Sequence, residues 1–226
     1  GAKILATDMN GEPTARLQNT LESHPSNIKY VSGDMTEGAD LDRVVRETVS
    51  SYGHIDVLFN NHGVMVGSPL LETTEEELDL VLRVNVRSSF LLCQKVAKSM
   101  VDKGVEGSII LNSSVGGLIG FPDMAAYGAS KAGVAQLSRS MANDLRDHKI
   151  RVNAVAPGGI DTPMPHKYLE KFEDREAIWK AMEQAHLTGR LGRPEEVIWL
   201  VVFLASDEAS FMNGSVVTVD GGYSCV

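Results

Sequence analysis

The sequence predicts an α/β protein in three layers, with a parallel sheet covered by helices on both faces. Three observations carry this expectation. Short apolar runs alternate with longer amphipathic segments along the whole chain, the pattern of strand–helix–strand units. The run at residues 55–59 reads as a strand buried on both faces, as parallel strands are. The 226 residues suffice for one α/β domain with a large core and are short for two.

The elements follow in order. Residues 3–6 read as a strand ending at Asp8, and 13–23 as a helix after the turn Asn10-Gly11. Residues 28–31 read as the second strand. Residues 40–52 are a helix, because Leu41, Val44, Val45, Thr48 and Val49 share one face. After the strand at 55–59, Glu75, Glu76 and Glu77 open a long helix to about Lys103. Thr73 or Thr74 caps it, with the acids favoured by the helix dipole. A strand at 107–111, a helix at 125–147 and a strand at 151–155 come next. Residues 163–187 are charged and aromatic and read as a helical substrate lid. Pro194 starts a helix at 194–205, and 215–219 is the last strand, ended by Asp220-Gly221-Gly222. The whole chain, 1–226, reads as a single domain without repeats or linkers.

Composition narrows the function classes. A net charge of −9 argues against a nucleic-acid surface. No 18-residue apolar stretch predicts a membrane span. The start has no signal-peptide form, so a cytoplasmic enzyme is expected. Cys93 and Cys225 make neither a disulfide framework nor a metal motif. Cys93 reads as a buried helical thiol and Cys225 as a loose one. The six histidines show no ligand spacing, so no metal site is expected.

Tyr127 and Lys131 are four residues apart in Tyr-Gly-Ala-Ser-Lys, hence on one helix face. A nearby ammonium favours the phenolate and lowers a tyrosine pKa, which makes a general acid/base of the pair. Ser114 sits in IILNSSVGGLIG, where a strand ends and a glycine-rich loop begins. Ligands bind at such carboxyl ends in open α/β sheets, and a serine there can donate to a substrate oxygen. Ser113 is the competing candidate. VGGLIG lacks the GxGxxG form and has no phosphate role. There is no GxSxG elbow for hydrolysis.

These segments together resemble the classical short-chain dehydrogenase/reductase family over the whole chain. The resemblance is carried by DM at 34–35, NNHG at 60–63, RVNV around Asn85, SSVGG at 113–117, YGASKAG at 127–133, RVNAVAPGGIDTPM at 151–164, RLGRPEEV at 190–197 and GSVVTVDGGYS at 214–224. It implies a Rossmann-type doubly wound fold and an oxidoreductase interconverting a secondary alcohol and a ketone. In that role Tyr127 exchanges a proton with the substrate oxygen. Lys131 lowers the Tyr127 pKa and holds the nicotinamide ribose. Ser114 binds the substrate oxygen, and Asn85 joins a proton relay through water. Thr162 and the Ile160 backbone would hold the carboxamide, Asp34 and Met35 would flank the adenine, and Asn61 would touch the adenosine ribose. The family's dimers or tetramers, formed through the two long helices and the final strand, are likewise expected.

Asp8 ends the first strand, where a carboxylate can bond a ribose 2′-hydroxyl and repel a 2′-phosphate. Met9 and Asn10 offer no positive charge beside it, so NAD is expected over NADP.

Two features depart from the family pattern. His62 stands where Ala is usual and is read as pointing to solvent rather than altering cofactor binding. Only seven residues precede Asp8, too few for the TGxxxGxG strand–helix unit that grips the pyrophosphate, and no later glycine cluster replaces it. The expectation is that this unit lies upstream in the functional protein. Without the middle strand of the order 3-2-1-4-5-6, its two neighbours would be unpaired, exposed to water, or forced to re-pair. A non-redox enzyme that reuses the Tyr/Lys pair for elimination, isomerisation or an aldol-type step is the alternative function, and an idle scaffold a third.

Overall fold

The computed structural model describes residues 1–225. Strands and helices alternate: β1 (Ile4–Asp8), α1 (Ala15–Ser23), β2 (Ile28–Ser32), α2 (Gly38–Tyr52), β3 (Val57–Asn60), α3 (Glu75–Val81), α4 (Ser88–Lys103), β4 (Ser108–Asn112), α5 (Ala125–Asp144), β5 (Arg151–Pro157), α6 (Pro163–Leu169), α7 (Arg175–Gln184), α8 (Pro194–Ala205) and β6 (Val216–Val219). Every strand pairing is parallel. Helix starts follow local chemistry. Thr74 closes a full capping box with Glu77, and Pro194 sits in the first turn of α8, where a missing N–H is harmless.

The strands form two sheets, β1-β2 and β3-β4-β5-β6. The two sheets are not paired with each other. β1 bonds to β2 alone and β3 to β4 alone. Neither facing strand is deeply covered: β1 is half-buried at best, and in β3 only Asn60 is buried. The small sheet is held instead through Leu5 and Val31, which pack against the main core beside Met35, Leu41 and Val44.

Side chains alternate across a strand, and this sorts the helices. Ile109, Leu111, Val152 and Ala154 share a core with α2, α4 and α5. Ile110 and Val155 face the other way, onto Val197, Val201 and Leu204 of α8. The four-stranded sheet is thus covered on both faces. Among the described residues no helix is long and apolar enough to cross a membrane.

Between α3 and α4 the expected long helix is continuous but contains a π-helical turn, Leu82–Arg87. The Ser88 N–H reaches back five residues to the Arg83 carbonyl. Such turns often occur at functional sites, and this one carries Asn85.

Candidate active site

β4 ends at Asn112, and the chain leaves the sheet through Ser113 and Ser114. α5 passes close over this exit because glycines permit it. A Cβ at Gly117 would lie 2.6 Å from the backbone of Lys131 and Ala132, and one at Gly128 2.8 Å from the Gly116 carbonyl. Gly117 of VGGLIG and Gly128 of α5 therefore serve helix packing.

Lys131 is buried and its Nζ donates to the Asn112 carbonyl at 2.8 Å. The two serines divide their work. Ser113 donates to the Lys131 carbonyl at 2.8 Å, which occupies it structurally. Ser114 Oγ accepts from the Gly116 N–H at 3.1 Å, and its hydroxyl lies near enough to the Tyr127 phenol to act on it. Asn85 is 1% exposed. Its Oδ1 accepts from the Val64 N–H at 2.8 Å, and its Nδ2 donates to the Val64 carbonyl and to Ser130 Oγ, both at 2.9 Å. Ser130 Oγ donates in turn to the Tyr127 carbonyl at 2.7 Å. Asn85 is thereby linked through Ser130 to the backbone of Tyr127, while Lys131 is anchored separately on Asn112 and Ser113.

The electrostatics correct one expectation. Burial pushes the Tyr127 phenol above its usual range, and the Ser114 hydroxyl only partly offsets that. Lys131 lies 5.9 Å from the Tyr127 ring centre. It is itself pushed down to about 8 by burial, because low dielectric disfavours any charge. In this state desolvation, not the ammonium, dominates the pair.

The candidate cofactor residues sit at the carboxyl ends of the strands. Asp8 Oδ1 accepts from the Asn10 N–H at 3.0 Å and from Asn10 Nδ2 at 2.6 Å, and Met9 is exposed. Asp34 accepts from the Thr36 N–H at 2.8 Å. The Met35 side chain lies in the core, so only its backbone can face a ligand. Asn61 Oδ1 accepts from Asn112 Nδ2 at 2.7 Å. Ile160 is bridged to Gly192, and Thr162 Oγ1 donates to the Ile160 carbonyl at 3.3 Å. Thr7 on β1 and Asn60 on β3 hold buried side-chain polar atoms without partners. Unsatisfied groups of this kind call for an unseen partner. A carboxylate at one strand end and amides at the next fit the adenosine end of a dinucleotide, and the Tyr127–Lys131 centre fits the ribose at its other end.

His62 does not point to solvent as expected. It turns inward, with Nε2 2.5 Å from Ser88 Oγ. Among the described residues no group of His, Cys, Asp and Glu could hold a metal ion. Cys93 is buried on α4, its thiol pushed up to about 12.

In the segment 163–187, His166 stacks on Trp179 at 4.6 Å and bonds Asp161 at 2.8 Å. Tyr168 packs edge-on against Phe172 at 5.2 Å. His186 is the buried member of the segment's histidines and aromatics. Its Nδ1 lies 2.7 Å from the Met182 carbonyl and its Nε2 accepts from the Gly159 N–H at 3.0 Å, which fixes the neutral tautomer with the proton on Nδ1. His186 also meets Tyr223 edge-on at 4.9 Å, and Tyr223 meets Phe121 at 5.1 Å. Sequence reading missed Asn112, Ser130, Phe121 and Tyr223. Ser130 was within reach of it, three residues beyond Tyr127 on the same helix face. Asn112 acts on Lys131 through a carbonyl, which no side-chain pattern reports.

A family model described as enoyl-(acyl carrier protein) reductase matches residues 1–224. The chain belongs to the short-chain dehydrogenase/reductase family. It is 40% identical over 222 residues to the 3-oxoacyl-[acyl-carrier-protein] reductase FabG of Thermotoga maritima, covering 98% of this chain and 87% of that protein. It is 33% identical over 228 residues to the NADP-dependent (R)-specific alcohol dehydrogenase of Lentilactobacillus kefiri, covering 99% and 87%. Among solved structures, levodione reductase superposes with a TM-score of 0.94 at 33% identity, covering 100% of this chain and 89% of that one. The protein is thus an enzyme of the short-chain dehydrogenase/reductase type with an oxidoreductase ancestry.

Proposed function

We propose that this protein is an NAD-dependent oxidoreductase that interconverts a secondary alcohol and a ketone by hydride transfer, with Tyr127 as general acid/base. The observation that carries this reading is the Asn85–Ser130–Tyr127 chain of hydrogen bonds, with Ser114 beside the phenol and the Lys131 amine buried behind it. The names of the relatives agree in chemistry, since each is a reductase of a carbonyl compound or an alcohol dehydrogenase. That agreement weighs against the non-redox alternative.

In this reading the nicotinamide supplies the hydride. Ser114 donates to the substrate oxygen and stabilises the charge that develops there. Tyr127 gives that oxygen its proton in reduction and takes it back in oxidation. Lys131 holds the ribose. Asn85 orders the water that restores the proton. Ile160 and Thr162 hold the carboxamide, Asp34 and the Met35 backbone the adenine, and Asn61 with Asp8 the adenosine ribose. Asp8 carries the choice of NAD, because its carboxylate suits a free 2′-hydroxyl. Both internal bonds to Asp8 fall on Oδ1. The segment 163–187 acts as the substrate lid, with Phe121 and Tyr223 forming an apolar wall beside Tyr127. The enzyme assembles as a dimer or tetramer through its long helices and last strand, a reading supported by the apolar side chains Phe90 and Val101 left exposed on α4.

The test is fluorescence titration with NADH and NADPH, followed by turnover on a panel of secondary alcohols and ketones. Tighter NADH binding and turnover abolished in Tyr127→Phe are expected. Binding of neither dinucleotide would sink the reading.

A further inference from the structure

The π turn that carries Asn85 has an unusual support. In an α-helix the Ser88 N–H would bond the Val84 carbonyl. Here that N–H goes to Arg83 instead, and the Ser88 hydroxyl takes the Val84 carbonyl at 2.5 Å. A hydroxyl has one proton. With that proton on Val84, the short contact between His62 Nε2 and Ser88 Oγ places a proton on Nε2, and the imidazole donates. The result is a chain from His62 through Ser88 to the residue preceding Asn85.

The same loop holds Asn85 from the other side. Val64, two residues after His62, bonds the Asn85 amide through both its N–H and its carbonyl, at 2.8 and 2.9 Å. Gly63 lies between, so close to the centre that a Cβ there would be 3.1 Å from Asn85 Oδ1 and 3.3 Å from Lys131 Nζ. The position of residues 62–64 therefore sets how Asn85 and Lys131 stand to each other. Alanine, usual at position 62 in the family pattern, could not reach Ser88.

We propose that His62 is a positioning residue: through Ser88 its imidazole locks the π turn that presents Asn85 to the Lys131–Tyr127 centre. The part played by Asn85 in turnover rests on the oxidoreductase reading, whereas the lock itself is a structural statement. The surroundings suit a neutral donor. Burial and the nearby Lys131 ammonium push His62 down to about 4, against the pull of the Val84 carbonyl, so its bonding does not change across the neutral range.

The experiment compares His62→Ala, His62→Gln, Ser88→Ala and the double alanine variant in the full chain. It reads kcat and KM for a ketone with NADH, the NADH dissociation constant, and hydrogen exchange over residues 82–89. Small displacements of catalytic groups are expensive in rate. His62→Ala is expected to lower kcat roughly 10-fold, to leave NADH affinity within about twofold, and to speed exchange in the π turn. His62→Gln, which keeps an N–H donor, should recover part of the loss. The double variant should be no worse than either single one, as for two members of one chain. His62→Ala with unchanged kcat and unchanged exchange, even with a lower Tm, would reduce His62 to a space filler and overturn the proposal. Independent, additive losses from the two alanines would overturn it too. Should His62→Ala fail to fold, Ser88→Ala decides alone, by the same two readouts. A wild-type chain that turns over no ketone with NADH or NADPH defeats the oxidoreductase reading, and the exchange comparison still decides the lock.

Discussion

Replacing Lys131 by methionine should make the protein more stable while stopping it working. Lys131 is 4% exposed, and burial moves its pKa from 10.5 to about 8. That shift of about 2.5 units, at about 1.36 kcal/mol each, puts the burial cost of the ammonium near 3 kcal/mol around pH 7. Methionine has a similar length and no charge to desolvate. It forfeits the bond to the Asn112 carbonyl, worth about 1 kcal/mol net. The variant should therefore gain about 2 kcal/mol near neutral pH. The gain has a pH signature. Lys131 binds its proton more weakly in the folded than in the unfolded chain, so wild-type stability rises relative to the variant as pH climbs from about 8 to 10.5. By about pH 9.5 the cost falls to roughly 1 kcal/mol and the advantage of methionine nearly vanishes. Urea unfolding of both proteins near pH 7 and near pH 9.5 measures this directly, with activity assayed beside it. A methionine variant less stable than wild type near pH 7, or equally favoured at both pH values, would refute the desolvation argument.

Further expectations follow from the same geometry. Tyr127→Phe keeps the ring packing and removes the acid, and turnover should fall roughly 10²–10⁴-fold with NADH affinity kept; steady-state kinetics and a binding titration check this. Asp8→Ala should shift preference from NAD toward NADP by roughly 10-fold or more, the weight of a hydrogen bond to a charged group, read from the two values of kcat/KM. His186→Ala strips the Gly159 N–H of its acceptor and should lower stability by about 1–3 kcal/mol, with faster exchange in residues 158–160 and 183–187. Light scattering on the purified protein should give a mass of two or four chains, and a strict monomer would contradict the proposed assembly.

The sequence made much of this legible because the chemistry of its elements is local. Thr74 with Glu77 announces a helix start, Pro194 another, and Leu41 and Val44 mark the buried face of α2. Tyr127 and Lys131 share a face by helical spacing alone. What stayed hidden is nonlocal or backbone-borne. The π turn Leu82–Arg87 adds one residue to a helix without changing its composition, so periodicity runs through it. His62 was misread because nothing in NNHG tells that Ser88, on another element, waits for a donor. The phenol of Tyr127 was expected to be acidified, yet its pKa depends on burial that sequence spacing does not convey.

The central claim is hydride transfer governed by Tyr127, and its most direct test is ketone-dependent loss of NADH absorbance in wild type and Tyr127→Phe, side by side. Steady oxidation of NADH by the wild type, lost in the variant that still binds NADH, is the expected result. Equal rates in the two proteins, or NADH binding without any ketone-dependent oxidation in the wild type, would contradict the account.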